Sequence, residues 1–530
     1  MPEGRLGGPA ARRWAAVLSM AALTLGVGLG RAGRLTYHEA FVAQAAREML
    51  ASGDVLTPTV GGRPWLEKPP LAVWLTALSA RAAGGLSEAS ARAPSAIAAA
   101  LLALGVAALG ARRFGPAAGL LAGLVQATTV WTVGRGRLAE VDLTLACLVT
   151  WAVVAFDHLR SPANGLEPDL DAGLNRRRWT FFALLGLTSL AKGVGFGASL
   201  VLAVVGMVLV WDRDFEALRR LKSARGWALA GLLGLTWPIL VAIRHPSAIG
   251  LWVLHVSDRL SAEPKQFIGQ SSREFSLALL SALLPWAPLA FAGACRSLPG
   301  TFKRSGRGGG DRLLWAWTLA PLALLSLATV KNAHYAIHAL PPCSIWAARG
   351  LLRLGERLQV SRGWPASRVR RAAWSGFVGL GLAYALGYAV LAPRIDRRGI
   401  EWAFYEDAAR LLNPGEAIVL LYHVPEWDRA PYETPFGPVP HDWAVRLYYL
   451  GRPAVCRFGL DELSKEPVAP PSSSFAVIGR ASDLDGLRTL GRVETLAQGP
   501  ALRSDRTYRL FRVTPAAVAA VPGKSPPALR

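Results

Sequence analysis

In a chain that is 52% hydrophobic, ionisable residues gather in a few short stretches. The densest covers 37–70: it opens with Tyr37-His38-Glu39-Ala40 and closes with Trp65-Leu66-Glu67-Lys68-Pro69-Pro70. Arg137, Glu140 and Asp142 share a second stretch, Lys192-Gly193 makes a third, and His255, Asp258 and Arg259 a fourth. A short turn carries Lys331, His334 and Tyr335. Charge held against a membrane is costly, so each such residue is a functional candidate. Lys and Arg hold phosphate, Arg in bidentate fashion, and a carboxylate or imidazole takes the proton from an attacking hydroxyl. A phosphate leaving group needs charge stabilisation more than protonation. The mixture suits group transfer from an anionic lipid, with His38, Glu39 or Asp142 as base and Lys68, Lys192, Arg259 and Tyr335 near the phosphate. Plainer roles stand beside these. Lys192 and Arg259 can snorkel to headgroups, Asp142 can cap a helix, and His334 and Tyr335 can anchor at the interface.

The elements that must position these groups are membrane spans. Apolar runs of about 20 residues, enough to cross the hydrocarbon, recur through the first 390 positions, and mean hydropathy is +0.29. They fall near 14–31, 93–111, 116–133, 141–157, 179–191, 194–211, 226–243, 276–295, 312–329, 335–351 and 372–392, about eleven spans. The Arg/Lys clusters at 12–13, 112–113, 176–178, 213–225, 296–312 and 349–371 then share one face, the cytoplasmic one by the positive-inside rule. That bias, rather than a nucleic-acid face, accounts for the net charge of +23. The candidate residues all lie on the opposite face. The run from Leu71 is too short to cross and is interrupted by Arg81, so it reads as an interfacial helix, like 40–50 before it.

After 395 the composition changes. A helix at 402–412, strands at 417–422, 445–449, 475–478 and 508–513, and a helix near 484–490 predict a small extracytoplasmic α/β domain over 396–515, with a disordered tail over 516–530. The four cysteines form no close-spaced pair, so no disulfide framework or zinc knuckle is implied.

The order of motifs resembles a known family. Tyr37-His38-Glu39-Ala40, Ser52-Gly53-Asp54, Leu66-Glu67-Lys68-Pro69-Pro70, Arg92-Ala93-Pro94-Ser95, Ala191-Lys192-Gly193, Leu283-Leu284-Pro285-Trp286 and His334-Tyr335 resemble membrane glycosyltransferases of the GT-C fold. The branch is the one uniting aminoarabinose transferases of lipid A with protein O-mannosyltransferases. The resemblance covers roughly 10–395 and implies a multi-span inner-membrane enzyme with its site on the outer face. Such an enzyme passes a sugar from a polyprenyl-phosphate carrier to an outward-facing lipid, glycan or protein acceptor, with inversion. By position, Glu39 and Asp142 match the family's acidic motifs, and Arg259 a phosphate contact. Glu67 and Lys68 match a pair that serves a divalent ion and the carrier phosphate. One departure stands out: the family's usual Asp-Glu is His38-Glu39 here. His38 can replace the missing base, Glu39 or Asp142 can serve, or the site is inactive. A transporter of lipid-linked sugars or a non-catalytic binder are the alternative readings. The former needs internal repeats, and no matching halves are visible.

Overall fold

The structure, a computed structural model, describes residues 8–31, 33–160, 170–261, 272–302, 309–327, 332–396, 398–422, 434–437, 439–440, 442–465, 468, 473–500 and 507–515. The chain divides into two compact units. One comprises Met1–Ala32, Ala45–Pro58 and Trp65–Arg394; the other comprises Gly33–Gln44, Thr59–Pro64 and Ile395–Arg530.

The first unit is a polytopic α-helical membrane bundle. Helices Glu88–Phe114, Asp142–Arg160, Ala224–Arg244 and Ala366–Ile395 are long and apolar enough to cross a membrane. Pro116–Thr128 and Val130–Gly136, bent by 56° at their break, make a fifth if counted together. By that measure the expected eleven spans reduce to four or five among the described residues. Of the remaining runs, some fold as shorter or interrupted helices, while Leu170–Lys192 and Leu340–Arg362 are continuous helices of 23 residues. The run 276–295 divides into Ser272–Ala282 and Ala287–Phe302, because Pro285 between them has no N–H to continue a helix. Arg176, Arg177 and Arg178, expected in a loop, lie inside helix Leu170–Lys192. A helix, Ser247–Ser261, fills part of the expected loop 244–275. Val210, Leu232, Ile239 and Ile243 are exposed, an apolar surface suited to lipid rather than water.

Leu71–Ala82 forms the short helix expected there, and Tyr37–Ser52 the one before it. The backbone between them is braced by indoles. Trp74 donates to the Val55 carbonyl (2.8 Å), Trp237 to Leu56 (3.0 Å) and Trp252 to Leu66 (2.8 Å). Asp54 accepts the Leu56 and Thr57 amides at 2.9 and 3.2 Å and pairs with Arg244 at 2.8 Å. The Ser-Gly-Asp motif is thus a turn that aims the chain toward Glu67 and Lys68.

In the second unit, β1 (Thr59–Val60) and β2 (Arg63–Pro64) form a hairpin around Gly61-Gly62. Both glycines have positive φ, as a two-residue hairpin turn requires. Five further strands make one sheet: β3 (Ala417–Tyr422), β4 (Val455–Phe458), β5 (Phe475–Arg480), β6 (Gly491–Gln498) and β7 (Tyr508–Pro515), ordered β4-β3-β5-β7-β6. β3 and β5 are near-continuous apolar runs, and their parallel pairing at the sheet centre follows from burial on both faces. β6 and β7 close the other edge as an antiparallel pair. The expected strand at 445–449 is instead a helix, Trp443–Leu450, ended by Gly451 at φ 67°. The tail 516–530 lies outside the described residues.

Candidate active site

The helices Asp142–Arg160 and Leu170–Lys192 pack against each other as a hairpin, and the return leg brings the last residue of one to the first of the other. Asp142 begins its helix and Lys192 ends its own, so each charge opposes its helix dipole favourably. The Lys192 ammonium and the Asp142 carboxylate form an ion pair, each side chain 10% exposed. Lys192 Nζ also sits 4.4 Å from the centre of the Tyr335 ring, a cation–π contact that holds it in place. Gly193 and Gly195, both at positive φ, turn the chain away directly after it.

The 3-10 helix Ala333–Ala339 supplies the third side. His334 Nε2 lies 3.7 Å from Asp142, and the His334 ring meets Tyr335 edge-on at 4.6 Å. Burial pushes the imidazole down to about 3; Asp142 opposes this, while Lys192, Arg135 and Lys68 add to it. At neutral pH the imidazole is therefore neutral, and its contact with Asp142 is polar rather than ionic. Arg135 reaches Asp142 electrostatically and pairs with Glu140 at 2.8 Å. Lys192 and Arg135 thus act on Asp142, Lys68 acts on the neutral imidazole beside it, and Glu140 offsets the charge of Arg135. Such a set receives a phosphate and leaves an acid beside it to accept a proton.

The other expected residues have different surroundings. His38 and Glu39 belong to the second unit. The His38 side chain is exposed. Glu39 is fully buried and closes a capping box: its carboxylate accepts the Thr36 amide at 2.8 Å, and its own amide donates to Thr36 Oγ1 at 3.4 Å. Arg259 lies on helix Ser247–Ser261, and its side chain, with that of Asp258, falls outside the described residues. Lys331 falls outside them as well. Arg137 proves to be a strut. It is 1% exposed, donates to the Thr24 and Val27 carbonyls at 2.8 and 2.6 Å, and lies 4.1 Å from the Tyr388 ring. Arg135 does what Arg137 was a candidate for, and nothing in Gly134-Arg135-Gly136-Arg137 distinguishes the two before they fold. Glu67 and Lys68 are half-buried. No three His, Cys, Asp or Glu side chains converge on one point among the described residues.

The profile of the dolichyl-phosphate-mannose-protein mannosyltransferase family matches residues 67–160, a segment holding Glu67, Lys68, Arg135 and Asp142. The undecaprenyl phosphate-alpha-4-amino-4-deoxy-L-arabinose arabinosyl transferase of Edwardsiella ictaluri is 30% identical over 62% of this chain and 58% of its own length. The enzyme of the same name from Pseudomonas aeruginosa is 30% identical over 66% and 60%. The chain therefore spans less than two thirds of these relatives. Crystal structures of ArnT from Cupriavidus metallidurans superpose over almost the whole chain. The form bound to undecaprenyl phosphate gives a TM-score of 0.70 at 20% identity, covering 97% of this chain and 99% of that one. The apo form gives 0.72 at 20% identity, covering 96% and 99%. The fold is that of ArnT. Both families that the motifs resemble are thus found again, and the ArnT fold accounts for the helical bundle with its small strand-containing C-terminal region.

Proposed function

We propose that this chain is an integral-membrane glycosyltransferase that moves a sugar from a polyprenyl-phosphate donor to an outward-facing acceptor. The observation that carries the reading is the meeting of Lys192, Asp142 and His334, with Arg135 and Lys68 acting on the same group. Without a donor, Lys192 neutralises Asp142. An arriving phosphate competes for the ammonium, and Asp142 is then left facing the acceptor. The acceptor oxygen attacks C1, the C1–O bond to phosphate breaks with inversion, and the hydroxyl proton passes to Asp142. Lys68, Arg135 and Lys192 take up the charge on the departing polyprenyl phosphate. Arg259, placed on a neighbouring motif by the resemblance, is a further phosphate contact, and Glu67 the residue that serves a divalent ion.

The relatives named for undecaprenyl-phosphate aminoarabinose favour an undecaprenyl carrier. The active site and the C-terminal unit face the extracytoplasmic side, as the one-sided arginine clusters support. A transporter or a non-catalytic binder gains no support from the comparisons.

The test is transfer by purified protein, given a panel of radiolabelled polyprenyl-phosphate sugars and membrane lipid acceptors, with and without chelator. Wild type transfers from one donor. Asp142→Asn, which keeps the shape and removes the base, loses at least about a hundredfold in rate while its melting profile stays cooperative. Lys192→Met raises the donor KM. His38→Asp transfers at a rate close to wild type, because His38 is exposed. Undiminished turnover in Asp142→Asn sinks the assignment, and product from His38→Asp alone means that the natural site is inactive. Loss of activity with chelator, restored by a divalent ion, establishes the metal.

A further inference from the structure

Helix Leu340–Arg362 begins beside the candidate active site and ends far from it: Arg353 lies about 20 Å along the axis from Leu340. Arg349, Arg353 and Arg357 recur at four-residue spacing, and so share one face. Their partners differ. Arg349 pairs with Asp311 and stacks on Phe114, 4.3 Å from the ring centre. Other arginines of the bundle are matched in the same way: Arg113 with Asp157, Arg160 with Asp212 and Asp214, Arg312 with Asp212. Arg353 and Arg357, together with Arg296, make no ion pair among the described residues. One Arg353 nitrogen, Nη1, is buried with nothing to donate to. A buried charged donor left without an acceptor is expensive; Arg160 also has one unmatched nitrogen, but its others meet Asp212 and Asp214, whereas Arg353 has no carboxylate partner among the described residues.

These three arginines line one open cavity of about 590 Å³, shared with Glu356, Val360 and Ser361. The cavity lies between helices Ala287–Phe302 and Leu340–Arg362, which approach very closely on its inner side. A Cβ at Gly293 would collide with the Trp346 carbonyl, and one at Gly350 would lie 2.7 Å from the Leu289 carbonyl oxygen. One turn beyond each glycine stand Arg296 and Arg353. The cavity opens outward beside apolar side chains: Val360, which lines it, is 89% exposed, and Phe302, about two turns beyond Arg296 on its helix, is 76% exposed. A soluble anion has no use for such a rim, whereas acyl chains do.

We propose that this cavity binds the phosphate of an anionic membrane phospholipid, with Arg296, Arg353 and Arg357 as its donors and the exposed apolar side chains against the acyl chains. Three guanidinium groups against the single Glu356 carboxylate favour an anion, and a basic pocket between helices suits a phospholipid head group. The site lies apart from Asp142 and Lys192 and does not depend on the transfer chemistry.

Native mass spectrometry of the full chain, released from detergent carrying phosphatidylglycerol, phosphatidylcholine or inorganic phosphate, tests it. Wild type holds phosphatidylglycerol and releases phosphatidylcholine. Arg353→Gln/Arg357→Gln weakens phosphatidylglycerol retention about tenfold, and Lys192→Met leaves this lipid in place. Arg296→Gln, altering an exposed side chain, weakens retention about threefold. Unchanged retention in Arg296→Gln and in the folded double variant overturns the proposal. So does equal retention of phosphatidylcholine, or inorganic phosphate held as tightly as the lipid.

Discussion

At the residue scale the candidate site is an acid outnumbered by cations. Asp142 and Lys192 were both visible as ionisable residues at the ends of apolar runs, and the helical hairpin places them together. His334 reads as an interface anchor in the sequence, yet it is packed against the pair. Its pKa gives a test independent of turnover. The folded value, about 3, lies below the ordinary value of about 6.5. The unfolded chain therefore binds more protons between those limits, and stability falls as pH drops through about 6 toward 3. In detergent, wild type loses thermal stability across that window, and His334→Gln loses distinctly less. Identical pH slopes would show that His334 is not buried against the cations. What the sequence could not separate was Arg135 from Arg137, since both flank Gly136. One becomes part of the cationic cluster and the other a buried strut on Thr24 and Val27, a choice made by which carbonyls the fold leaves within reach.

At the element scale, the long apolar runs were legible because about 20 apolar residues have few alternatives to a helix. Short elements were not. Residues 445–449 read as a strand because Val, Leu and two Tyr favour one, but Asp442 before them and Gly451 after them are helix punctuation, and all eight residues of Trp443–Leu450 are buried. Arg446 on that helix is buried too, pairing with Asp442 and accepted by the Tyr508 hydroxyl oxygen at 2.7 Å. No periodicity announces that role. Helix contacts make a sharper prediction. Gly350→Ala puts a methyl 2.7 Å from the Leu289 carbonyl oxygen, and overpacking of this kind costs about 1–3 kcal/mol. The melting midpoint in detergent should fall. Gly376→Ala, with nothing within 4 Å of the new methyl, should leave it unchanged or raise it. Equal midpoints for both variants would mean that the two helices do not approach as described.

At the scale of the whole molecule, the second unit is built from separated pieces of chain. Gly33–Gln44 and Thr59–Pro64 join Ile395–Arg530. Arg34 donates to Glu406 at 2.7 and 2.9 Å, the Leu35 amide donates to the Tyr449 hydroxyl at 2.7 Å, and Gly61 leaves room only for the Trp443 ring. The motif Tyr37-His38-Glu39 therefore starts a helix inside this unit. Its orientation can be measured. In a background without the native cysteines, Asp485→Cys should react with a membrane-impermeant maleimide in intact cells, and Arg362→Cys only after permeabilisation. The reverse pattern would place the C-terminal unit in the cytoplasm.

By itself, the sequence determined the membrane class, the position of the apolar runs, the α/β character of the C-terminal region and the list of ionisable residues worth considering. Hydropathy and charge are local properties, written residue by residue, so they survive without a fold. Only the tertiary structure decided which of those residues meet. Lys192 reaches Asp142 because two long helices return upon themselves, Glu39 turns inward to cap its own helix, and Arg353 is left with a buried nitrogen and no acceptor. Each outcome depends on partners far away in the chain, and packing, unlike hydropathy, has no local code.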